Sequence, residues 1–180
     1  MEPYNGYDEE IKIEEEFYKG RGNAINMALA VENYLEFFIS NYFVKPQNSK
    51  TFFFENKVVQ PLNFLQKINL FKKICQRENF NAKNIKALIK LLNEIRETRN
   101  KVAHWETLVD PQKNTITLMK KGEVINPENY LKLDEKMLKD LDGKRFKAIT
   151  EITEFYLKYA QEGTIDEKWE KKGIENSKYD

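Results

Sequence analysis

The side chains that most often bind metals or form disulfides are nearly missing from this 180-residue sequence, since Cys75 is its one cysteine and His104 its one histidine. A lone cysteine excludes a disulfide within the chain and suits a reducing compartment. One Cys and one His do not make a zinc site, and no carboxylates at ligand spacing stand in for them, so neither metal nor other cofactor is expected. Glycine (7) and proline (5) are scarce, and no glycine-rich phosphate loop, internal repeat or low-complexity linker is apparent. No apolar run approaches the roughly 20 residues of a membrane span. The opening Met1-Glu2-Pro3-Tyr4 has neither the basic nor the apolar region of a signal peptide. The expectation is a cytoplasmic protein without membrane attachment.

What is present suits one globular domain, with 41% hydrophobic and 13% aromatic residues to build its core. The net charge of +1 hides an asymmetry. Residues 1–20 carry seven acidic and two basic residues, whereas residues 64–104 carry ten basic and three acidic. A basic stretch attracts phosphates, and an acidic arm either folds over it or stays solvated; wet helix faces would show the same asymmetry.

Apolar periodicity predicts a mainly α-helical chain. Segment 1–22 reads as an acidic arm, with Gly20-Arg21-Gly22 breaking the chain. From Asn23 a long helix runs to about Phe43, with Ile25, Ala28, Leu29, Leu35 and Ile39 on one side and Val31, Tyr34 and Phe38 widening the apolar surface. Phe52-Phe53-Phe54 reads as a packing anchor, with base stacking the lesser alternative. Pro61 begins a helix bearing Leu62, Leu65, Ile68, Leu70, Phe71 and Ile74, whose Lys67, Lys72, Lys73 and Arg77 supply much of the basic charge. After a turn over 79–84, a further helix closes near His104. The alternation of Thr115-Ile116-Thr117-Leu118-Met119 is that of a strand. With Thr107–Val109 and Glu123–Ile125 it makes a β-ribbon over about 106–126, either a decorative hairpin or a clamp or partner-binding edge. Asp134 caps a short helix to Leu141, and Asp142-Gly143 interrupts it. Phe146, Ile149, Ile152, Tyr156 and Tyr159 then mark a core-facing helix. The domain therefore spans about 23–162, and a charged tail with Trp169 occupies 163–180.

The stretch Glu97-Thr98-Arg99-Asn100-Lys101-Val102-Ala103-His104-Trp105 is the most informative. Ile85, Leu88, Ile89, Leu92 and Ile95 recur at spacings of three and four, and Arg99 falls where the next apolar residue belongs. A buried arginine needs an anion or a close partner. Asn100 neighbours both Arg96 and His104, four residues away on either side. Arg99 and His104 are turned by about 140° on an unbroken helix. They converge only if the helix loosens near Val102 or if a second copy supplies the missing group.

Arginine followed by asparagine, three residues and histidine, closing a long helix before a tryptophan, resembles the motif of the HEPN superfamily. The resemblance covers about residues 23–160. It implies an antiparallel helical bundle with the β-hairpin inserted after the motif helix, and a metal-independent endoribonuclease of the toxin or antiviral-defence kind. Arg99, Asn100 and His104 are its implied catalytic residues, Glu32 and Arg96 supporting ones, with Glu32 the better match to an acidic residue facing the arginine. Glu32 and Glu36 also fall within an apolar stripe of the first helix, where buried glutamates need partners that Arg99 or Arg96 would supply. Lys72, Lys73 and Lys101 are candidates for contacting RNA. The implied partners are RNA, a second copy of the chain joined through the motif helices, and an antitoxin or other regulator. The alternatives are a catalytically inactive module of the same family that binds a partner protein or a nucleotide, and an unrelated helical scaffold in which Arg99 and Glu32 pair structurally.

Overall fold

Apolar side chains at helical spacing turn most of the chain into helix, and one alternating stretch turns it into sheet. The computed structural model describes residues 6–44, 49–110, 115–122 and 130–161. Its elements are α1 (Gly6–Phe43), α2 (Ser49–Phe54), a π-helical turn (Glu55–Val59), α3 (Phe64–Arg77), α4 (Ala82–His104), β1 (Glu106–Asp110), β2 (Thr115–Met119), β3 (Tyr130–Lys132) and α5 (Glu135–Gln161). The chain is thus mainly helical with a small three-stranded antiparallel sheet, ordered β1-β2-β3. Residues 1–5, 111–114 and 162–180 lie outside the described part, and with them the tip of the expected hairpin and the Trp169 tail.

Two compact units divide the chain. Among the described residues, one comprises those within 6–30 and 93–146, the other those within 31–92 and 147–161, so that α1, α4 and α5 each contribute to both. The first unit holds the sheet. Pairs such as Thr107 with Leu118 and Leu108 with Thr117 set its β1–β2 register, and Ile116 and Leu118 point to its buried side. The third strand lies at Tyr130–Lys132; Glu123–Ile125, expected there, fall outside the described residues. In the second unit the aromatic core is built edge to face, with Phe38 4.9 Å from Phe71 and Phe71 6.0 Å from Phe155.

Both expected helix breaks are corrected. The helix α1 runs straight through Gly20-Arg21-Gly22, because Phe17, Ala24, Ala28, Val31, Leu35, Phe38 and Tyr42 form one buried stripe. That burial outweighs the roughly 1 kcal/mol that a mid-helix glycine costs. Gly20 falls on the stripe, where an added Cβ would meet Leu133 Cδ2 at 3.4 Å, so its smallness allows a close approach. Likewise α5 continues past Asp142-Gly143, with Leu141 and Ala148 buried on either side. Asp134 does cap it, accepting from the Met137 amide at 2.9 Å.

Other corrections are smaller. Helix α3 begins at Phe64 rather than Pro61, because Asn63 and Gln66 form a reciprocal capping box. Phe52 and Phe53 are 72% and 63% exposed, so the aromatic triplet is not a packing anchor; among the described residues only Phe54 of the three has a ring contact, 5.7 Å from Phe43. Leu29, Tyr34, Leu65 and Phe146 are exposed as well.

Cys75 is fully buried on α3, and its burial pushes the thiol up to about 12. A thiol reagent at pH 8 should therefore leave the native protein unmodified and react once denaturant unfolds it. Rapid labelling of native protein would contradict this packing.

Candidate functional site

The motif helix starts on Asn81, whose side chain accepts from the Lys83 amide at 3.0 Å. Ile85, Leu88, Leu92 and Ile95 are buried along it, Ile89 is half-buried, and Val102 is again fully buried. Arg99 lies four residues after Ile95 and three before Val102, on the same apolar line, and is half-buried there. Its Nη1 donates to Asn100 Oδ1 at 3.2 Å. Among the described residues no carboxylate meets it.

His104 is the last residue of α4 and is exposed. The helix does not loosen before it, since the next amide, that of Trp105, still donates to the Lys101 carbonyl at 2.9 Å. Within one chain the two side chains therefore leave the helix about 140° apart. Lys101 and His104 both stand in the last turn, where the negative end of the helix dipole favours cationic groups. Lys101 Nζ sits 5.2 Å from the ring of half-buried Trp105.

The expected carboxylate partner of the arginines is a correction. Glu32 and Glu36, one turn apart on α1, both accept from Lys67 Nζ at 2.6 Å. Lys67 is 2% exposed, so it is a core residue and adds nothing to the basic surface. A compact ammonium with three donors serves two carboxylates at once. Nothing in the spacing of α1 alone could say which cation on which helix would reach them. Lys72 and Lys73 are exposed on α3. Lys72 borders a cavity of about 550 Å³ with Gln76 and Lys86, over Phe80, Ile85 and Ile89. The structure therefore brings Arg99 and Asn100 together. It puts Lys72 and Lys73 in the other unit from the motif.

Arg96 lies one turn before Arg99 and Asn100. Its Nη2 is 3.5 Å from the exposed Glu97 carboxylate, and its buried Nε has no hydrogen-bond partner. One residue of this region had no advance signal. Arg21 Nη2, from α1, donates to the Ala103 carbonyl at 3.0 Å, beside His104. Its flanking glycines mark it in the sequence as a chain break, which concealed a helical residue facing α4. Among the described residues, no group of His, Cys, Asp and Glu side chains converges as a metal site would require. No helix among them is long and apolar enough to cross a membrane.

No family model matches the chain, and neither a curated protein nor a solved structure shows significant similarity to it.

Proposed function

We propose that this chain is a metal-independent endoribonuclease of the HEPN kind, acting as a homodimer at Arg99, Asn100 and His104. One observation carries the reading. A half-buried arginine with no carboxylate partner among the described residues, oriented by the adjacent asparagine, stands on the helix that ends in the chain's single, exposed histidine.

In the proposed reaction the 2′-hydroxyl of RNA attacks the adjacent phosphate. The 2′-oxygen loses its proton to a base, the P–O5′ bond breaks, and the leaving 5′-oxygen takes a proton from an acid. The products are a 2′,3′-cyclic phosphate and a 5′-hydroxyl. The nucleophile is already held beside its target, so no metal is needed to bring them together. An imidazole serves as base or acid at ordinary pH. The Arg99 guanidinium fork would bind the phosphate and stabilise the charge that develops on it. One imidazole does not take one proton and give another in the same pass. Two copies facing across a two-fold axis share those roles, and bring Arg99 of one near His104 of the other. Phosphate between the two guanidinium groups would relieve their repulsion and tighten the dimer by linkage. An antitoxin or other regulator would act by covering this cleft.

Incubation with mixed RNAs in EDTA tests the reading. Cleavage should persist in the chelator, and DNA of the same sequence should resist because it lacks the 2′-hydroxyl. Activity that vanishes in EDTA and returns with magnesium would overturn the proposal.

A further inference from the structure

At the last two turns of α4, three guanidinium groups offer far more donors than the described residues use. Arg96, Arg99 and Ala103 share one face of the helix through their spacings of three and four. Arg21 reaches the same turn from α1, eighty-two residues away in sequence, through its bond to the Ala103 carbonyl. A guanidinium carries five N–H donors. Among the described residues, Arg21 has that one carbonyl as acceptor and Arg99 has only Asn100. Arg96 reaches Glu97 alone, at 3.5 Å and with the carboxylate side chain 62% exposed, while its buried Nε has none. The carbonyl end of α4 offsets part of this positive charge. The rest calls for an anion. The seven residue steps from Arg96 to Ala103 cover about 10 Å of helix, more than one phosphate group spans.

We infer that Arg21 is a phosphate-binding residue that holds the phosphate next to the one taken by Arg99. The site then selects a single strand with at least two adjacent phosphates over a mononucleotide. What Arg99 holds rests on the ribonuclease reading, but binding tests Arg21 without any cleavage. The competing role is a helix cap alone, since arginines commonly bond the last carbonyls of a helix. A cap affects folding, whereas a ligand contact affects the affinity gained with the second phosphate.

The test uses the full chain and the deoxynucleotides pT, pTpT and pTpTpT, which have no 2′-hydroxyl to react, with binding followed by calorimetry over a range of salt concentrations. For the wild-type protein, pTpT should bind about tenfold more tightly than pT, as one added charge-assisted contact gives. The salt slope of log K should steepen by about 0.7 for that phosphate. Arg21→Gln keeps a neutral donor for the Ala103 carbonyl and should erase this step while leaving pT binding unchanged. Arg21→Lys should restore most of it. A step that survives Arg21→Gln, or equal weakening of pT and pTpT, would overturn the inference. If Arg21→Gln does not fold, the wild-type slopes decide, and equal slopes for pT and pTpT would overturn it. A preserved step in a protein that cleaves no RNA would overturn the ribonuclease reading and leave the Arg21 assignment standing.

Discussion

His104→Ala and Arg99→Ala should each lower RNA cleavage by about 10²-fold or more, the range for loss of a general acid–base or of a charge-stabilising donor. Neither change should unfold the protein. His104 is exposed at the end of α4, and no described residue bonds its imidazole. Arg99 is half-buried between Ile95 and Val102, so truncation removes a charge from an apolar line and leaves no carboxylate unpaired among the described residues. Mixing wild-type and His104→Ala chains gives a sharper result. A heterodimer has one imidazole where the reaction uses one as base and one as acid, so activity should fall more steeply than the fraction of wild-type chains. Full activity in a folded His104→Ala protein would move the site elsewhere. Activity that falls only in proportion to the wild-type fraction, in mixtures shown to contain heterodimer, would remove the shared site.

The second large effect lies in the core. Lys67 is 2% exposed and bridges two carboxylates at 2.6 Å, with the Glu32 and Glu36 side chains 12% and 13% exposed. Lys67→Met keeps the volume and removes the charge, leaving both glutamates unpaired where water barely reaches. Breaking a buried ion pair from one side costs about 3–5 kcal/mol, a large part of the 5–15 kcal/mol typical of a folded domain. Adding Glu32→Gln and Glu36→Gln to Lys67→Met removes the unpaired charges, and should recover much of the lost stability. Urea denaturation of the three proteins checks this. A Lys67→Met protein as stable as the parent would show that the triad is not a stabilising contact.

Where one physical effect dominated, the sequence was sufficient to read the structure. The stripe from Ile85 to Ile95 is the buried line of α4, the alternation over 115–119 is β2, and Asp134 is a cap. Readings from single residues fared worse. Glycines at 20, 22 and 143 mark breaks by local propensity, but long-range burial of their neighbours carries both helices through. Phe52 and Phe53 are apolar enough for a core, yet they lie exposed, and composition says nothing of which side a short helix presents. Partner choice was the least legible. Glu32 was recognisable as a glutamate needing a cation, but choosing Lys67 over an arginine depends on how α1 and α3 pack. Arg21 was hidden for the same reason, because only the meeting of α1 with the end of α4 gives it a carbonyl to hold.

The identity of the RNA ends bears most directly on the central claim. A defined RNA is incubated in EDTA with the wild-type protein and, in parallel, with His104→Ala, and the new termini are identified by mass spectrometry. Attack by the 2′-hydroxyl at Arg99 and His104 predicts 2′,3′-cyclic phosphate, or the 3′-phosphate it hydrolyses to, opposite a 5′-hydroxyl, with the His104→Ala sample nearly uncut. New 5′-phosphate and 3′-hydroxyl ends, formed equally by both proteins, would mean that water attacked at another site and would contradict the account.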